Sequence, residues 1–118
     1  CKAEMMICGS GPPHSIARKG LELIPFLDKN TPADRDRLFG LFQDANLFIL
    51  PVRAECYGIV FCWSPAFGVP SIAPAVGGVP AAARNGRSAR LVDPLAWPEA
   101  YVAAIPAVID RPGAFEAL

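Results

Sequence analysis

The sequence predicts an α/β fold, a parallel sheet with helices on both faces. Short apolar runs bounded by turn residues recur along the chain, and the segments between them carry helical spacing and helical start signals. The run "LFILPV", residues 47–52, is apolar throughout and does not alternate. Unbroken apolar character marks a strand covered on both sides, as the strands of parallel sheets are.

The elements follow in order. Residues 5–8 read as a first buried strand, and residues 21–26 as a weaker one. "NTPADRDRLFGLFQDAN" reads as a helix with Thr31 as N-cap, Pro32 in its first turn and Asp34 completing a capping box. Leu38, Leu41, Phe42 and Ala45 line one face of that helix, and Gly40 inside it costs about 1 kcal/mol relative to alanine unless close packing demands it. The run at 47–52 is the next strand, followed by a turn and a helix containing Pro65. Further buried strands are expected around residues 71–73 and 90–92. The last helix, "PEAYVAAIPAVID", places Tyr101, Ile105, Val108 and Ile109 on one face, with Pro106 expected to kink it. Strands linked through helices pair in parallel, because each crossover must return to the same edge of the sheet.

Composition narrows the function. The chain has 118 residues, 53% of them hydrophobic and 19% charged, with 11 basic and 11 acidic side chains. A formal charge of zero argues against a nucleic-acid binder held by a basic face. No apolar run approaches the roughly 20 residues that span a bilayer, so a soluble globular protein without a transmembrane segment is expected; the cysteine usage points to the cytoplasm, with a membrane-peripheral place open for a longer polypeptide. The four cysteines form no Cys-x-x-Cys pair, and the single His14 has no second ligand at metal spacing. Reduced structural thiols and no metal site are expected. The chain opens at Cys1 without methionine, which suggests a fragment.

Ligands of open α/β sheets bind beyond the carboxyl ends of the strands. Three such loops carry suitable groups: "CGSGPPH" with Gly9 and Gly11, "PVRAECYG" with Glu55, and "PAVGGVP" with Gly77 and Gly78. Glycines allow backbone N–H groups to approach a phosphate, and a helix starting near Gly58 would present unpaired N–H groups to it. Taken singly, each reads better as a tight turn or a capping charge. His14 reads as a solvated residue at a helix start.

The order of these pieces is more specific. "RAECYGIVF...AFGVPSIAPAVGGVP...NGRSARLVDP", preceded by "IPFLDKNTPADRDRL" and "DANLFILPVRAE", closely resembles the C-terminal donor-binding domain of family 4 (group 1) retaining glycosyltransferases. The resemblance runs from about Met5 through nearly the whole chain. It implies a Rossmann-like sheet, the C-terminal half of a GT-B fold, with residues 1–118 as one partial nucleotide-sugar-binding domain. The N-terminal acceptor domain, and the strand–helix unit that carries an arginine and a lysine for the diphosphate, would be absent. It implies retaining transfer from a nucleoside-diphosphate sugar to an acceptor hydroxyl, with no cofactor or essential metal. Glu55 would meet the donor sugar's hydroxyls as the catalytic carboxylate. The amides of Tyr57, Gly58 and Ile59 would lie against sugar and diphosphate. The glycine loop at Gly9 and Gly11 and the segment at Phe26 and Leu27 would lie near diphosphate and base, with Gly77 and Gly78 completing the cradle.

One departure matters. The family places a second glutamate, which grips the ribose hydroxyls, eight residues after the first; this chain has Trp63 there and reads "WSPAFG" where members read "EASAFG". The Trp63 indole could instead bind by stacking on the sugar or base, but its single N–H donor cannot accept from a hydroxyl. Pro65 removes a further backbone bond from the expected helix. A degenerate, non-catalytic module binding a nucleotide sugar or a partner therefore stands beside the enzyme reading.

Overall fold

The computed structural model describes residues 3–9, 19–52, 60–84 and 87–110. These form two compact units, Cys1–Leu41 and Phe42–Leu118.

In the first unit, β1 (Met5–Cys8) pairs in parallel with β2 (Leu21–Ile24), with Met5 opposite Leu21 and Cys8 opposite Ile24. The pairing is as predicted but the burial is not. Met5 is 53% exposed, Met6 43% and Leu23 42%, while Ile24 is buried. A two-stranded ladder lacks the flanking strands and covering layers that bury a parallel sheet.

Helix α1 (Pro32–Asp44) begins in this unit. The Thr31 carbonyl accepts its first helical bond from Arg35 N–H at 2.9 Å, which confirms Thr31 at the N-cap. The expected capping box is replaced by a different device. Asp28 Oδ1 accepts the N–H of Asn30 at 2.9 Å, and the Asp28 carbonyl accepts that of Thr31 at 3.0 Å. This turn brings the Asp28 N–H, rather than that of Thr31, within 3.1 Å of Asp34 Oδ2. The Thr31 hydroxyl turns back to Asp28 Oδ2 at 3.4 Å.

The second unit holds β3 (Phe48–Ile49), β4 (Ser71–Pro74) and β5 (Ala89–Val92), parallel and in that spatial order. Helix α2 (Val60–Ala66) follows β3, the short α3 (Val79–Ala82) follows β4, and α4 (Glu99–Ile109) follows β5. The run at 47–52 supplies only two ladder residues, and Pro51, which has no N–H to donate, stands just beyond them. Its apolar continuity is nonetheless explained. Phe48 and Leu50 pack on the cluster of Phe61, Ala73, Val79, Ala82, Ala83 and Ala89, beneath α2 and α3. Leu47 and Ile49 pack on the opposite cluster of Ile72, Val92, Tyr101, Ala104 and Val108, beneath α4. Successive strand residues point to opposite faces, so a strand sandwiched by helices is apolar at every position.

Aromatic rings bind the first of these layers together. Phe42, in the last turns of α1, stacks on Phe67 with centroids 5.7 Å apart and tilts against Phe48 at 5.5 Å. Phe48 in turn meets Phe61 edge-on at 5.5 Å. On α4 the buried face is Tyr101, Ala104 and Val108, whereas Ile109, expected inside, is 53% exposed. The face turns away from the sheet before that final residue, one position past Val108. Among the described residues no helix is long and apolar enough to cross a membrane.

Candidate functional site at the carboxyl edge of the sheet

The carboxyl ends of β3 and β4 share one edge, because the two strands are adjacent and parallel. Glu55, Tyr57, Gly58 and Ile59 belong to the loop after β3 and Gly11 to the loop after β1; all five lie outside the described residues. What is described is the scaffold on either side of residues 53–59: β3 before them and α2 after.

Helix α2 is held on three sides. Phe61 is fully buried against Ala73 and Val79. The hydroxyls of Ser64 and Ser71, both without exposure, lie 2.6 Å apart and tie α2 to the first residue of β4. The C-terminus closes in a Schellman arrangement. Val69 N–H donates to the Ser64 carbonyl at 2.9 Å and Gly68 N–H to the Pro65 carbonyl at 3.0 Å, with Gly68 at φ 73°. Pro65 is buried inside α2, one residue before the helix ends. Of the letters that depart from the family pattern, Ser64 and Pro65 are thus integral to the core. Trp63 is half-buried on the same helix.

The loop after β4 sits beside α2, since Val76 and Val79 join the cluster around Phe61. Gly77 has φ 50°, a conformation glycine adopts without strain, and Gly78 is the N-cap of α3. Gly77 and Gly78 stand just beyond the carboxyl end of β4, while Trp63 is on α2 in the same unit, next to Ser64, which is bonded to the first residue of β4. In the other unit Gly9 is exposed at φ 111°, and its N–H donates to the Ile24 carbonyl at 3.2 Å, joining the ends of β1 and β2. Leu27 is 8% exposed, whereas its neighbour Phe26 is 73% exposed, so Phe26 offers the surface of that pair.

Cys8, at the end of β1, points its thiol toward the Pro25 carbonyl at 3.8 Å. Burial raises its pKa, with the charge of Arg37 acting in the opposite direction, so the thiol stays protonated at neutral pH. Cys8 and Cys62 are both free. Among the described residues no group of three or more His, Cys, Asp or Glu side chains is placed to hold a metal ion.

Two features were not singled out in the sequence. The Ser64–Ser71 contact joins residues in a helix and a strand, and no periodicity pairs them. Trp97, in the loop after β5, could have been flagged, because it too follows a strand's carboxyl end.

Comparison with known proteins accords with this geometry. The chain is 37% identical over 81 residues to a D-inositol 3-phosphate glycosyltransferase of Streptomyces griseus, covering 69% of this chain and 17% of that protein. It is 39% identical over 89 residues to one from Mycolicibacterium paratuberculosis, covering 71% and 20% respectively. It thus spans about a fifth of the length of these relatives. The structure superposes on sucrose-phosphate synthase from Thermosynechococcus elongatus with a TM-score of 0.70 at 24% identity, over 83% of this chain and 23% of that one. That likeness establishes a Rossmann-like fold of the kind found in GT-B glycosyltransferases. Residues 1–111 match the family described as glycosyl transferases group 1, and the chain belongs to that family.

Proposed function

We propose that this chain supplies the nucleotide-sugar-binding part of a glycosyltransferase that moves a sugar, with retention, from a nucleoside-diphosphate donor to an acceptor hydroxyl. The observation that carries the reading is that β3 and β4 lie side by side in parallel, so that their carboxyl ends share one edge, with α2 following the first and α3 the second. In this reading Glu55 binds the donor sugar and the amides of Tyr57, Gly58 and Ile59 face the departing diphosphate. Preorganised donors aimed at developing charge are the main source of such catalysis. Gly77 and Gly78 let the backbone approach, and Trp63 lies where the family's ribose-binding carboxylate would be. The reaction takes place in the cytoplasm without a metal, and residues 1–118 by themselves do not turn over, because the acceptor is held elsewhere in the polypeptide.

Trp63, standing where the family has its second glutamate, favours a second reading, a nucleotide-sugar- or partner-binding module without catalysis. One experiment separates the two. In the full-length protein, Trp63→Glu restores an acceptor for two hydroxyls, each worth about 1.5–3 kcal/mol. The donor-binding reading expects affinity for one of a panel of UDP-, GDP- and ADP-hexoses to rise about tenfold or more by calorimetry. Transfer that Glu55→Gln abolishes supports the enzyme. Binding without transfer supports the module, and no binding by either variant overturns the donor-binding reading in both forms and leaves only a partner-binding module.

A further inference from the structure

Helix α4 is apolar along its whole outward side. Tyr101, Ala104 and Val108 face the sheet and are buried. Away from them Val102 is 64% exposed and Ile109 53%, with Ala103, Pro106 and Ala107 also exposed. Only the ends carry charge: Glu99 opens the helix and Asp110 is its C-cap. Val102, Pro106 and Ile109 stand four and then three residues apart, the spacing that draws one stripe down a helix. A helix at a protein surface keeps its outward stripe polar, whereas one that is apolar all round lies inside a protein.

Size and charge together say what covers this face. Helix α4 has 11 residues, so the face is about 16 Å by 10 Å in outline. That is far short of the roughly 800 Å² per partner typical of a stable complex between separate chains. A segment tethered in the same polypeptide can dock on less, because its effective concentration offsets the entropy lost on association. This chain spans about a fifth of the length of its relatives, so polypeptides of that size hold ample further segments. The charges also disfavour a second copy. Whether two α4 helices pair parallel or antiparallel about a twofold axis, acid meets acid at both ends of the contact. We propose that the outward face of α4 seats a helix from elsewhere in the same polypeptide, outside residues 1–118, with an apolar stripe and a basic residue toward each end. The inference is independent of the glycosyltransferase reading.

The test replaces Val102 by the photo-crosslinking residue p-benzoyl-L-phenylalanine in the full-length protein and locates the attachment by digestion and mass spectrometry. An intramolecular link, on a monomer-sized species, to a peptide outside residues 1–118 is expected. A link to a second copy or to another protein, a link only within residues 1–118, or no link at all overturns the proposal. The sign of Val102→Glu gives a second readout. On an open face a carboxylate near the start of a helix is neutral or stabilising, because it meets the positive end of the macrodipole. Beneath a seated helix it is a buried charge, and the melting temperature of the full-length protein falls by about 5 °C or more. An unchanged or raised melting temperature overturns the proposal as well.

Discussion

Replacing Tyr101 with phenylalanine should make this domain more stable. The Tyr101 side chain is 4% exposed among Ile72, Val92, Ala104 and Val108, and its hydroxyl has no hydrogen-bond partner among the described residues. In water that hydroxyl is fully bonded, so folding strips it and returns nothing. The penalty for such an orphaned group is about 1–3 kcal/mol. Phenylalanine keeps the ring, its packing on β4 and β5 and its contact with Trp97, and removes only the oxygen. A gain of about 1 kcal/mol is therefore expected, near the lower bound because the removed oxygen leaves a small void. The pH dependence supplies an independent readout. Burial raises the Tyr101 pKa above its ordinary 10.0, because the phenolate is the form that desolvation penalises. The folded state then keeps a proton that the unfolded chain releases. The stability from this group is complete below that pH and is lost as pH climbs through the folded value. Phenylalanine has no such limb, so the advantage of Tyr101→Phe should widen above pH 10. The assay is hydrogen exchange of the β4 and β5 amides in the full-length protein, which reports this domain's own opening free energy. A variant less stable than wild type by 1 kcal/mol, or a gap that stays constant into alkaline pH, would refute the reasoning.

Two further predictions concern backbone and buried hydroxyls. Ser64→Ala or Ser71→Ala alone leaves the other hydroxyl buried and unpaired and should cost about 1–3 kcal/mol, while the double variant recovers much of the loss; additive losses in the same exchange experiment would sink the pairing. Gly40→Ala and Gly68→Ala should move stability in opposite directions, each by about 1 kcal/mol. A Cβ meets nothing within 4 Å at either site, but Gly40 is inside α1 and Gly68 holds φ 73° at the end of α2. Thermal unfolding of the two variants shows whether conformation alone decides the sign.

How much of this was readable in advance depended on the range of the interaction. The run at 47–52 announced a strand covered on both sides because each of its residues obeys the same local rule, and Thr31-Pro32 announced the start of α1 for the same reason. The capping box failed because its outcome depends on the turn at Asp28, which recruits Asp34 from outside the four-residue pattern. Ile109 failed because periodicity assigns a face without saying where the sheet beneath it ends. At the candidate site, the chemistry of Glu55, Gly77 and Gly78 was visible as residue types at strand ends. The resemblance to a family was carried by their order.

The amino-acid sequence by itself determined the alternation of strands and helices and the parallel pairing, since these follow from local pattern and the geometry of crossovers. Only the tertiary structure decided that Ser64 is bonded to Ser71, that Pro65 falls at the end of a helix, and that Tyr101 supports a half-open Trp97. Each of those depends on which side chains from distant segments meet in a close-packed interior, where a hydroxyl either finds a partner or does not. No sequence spacing encodes that.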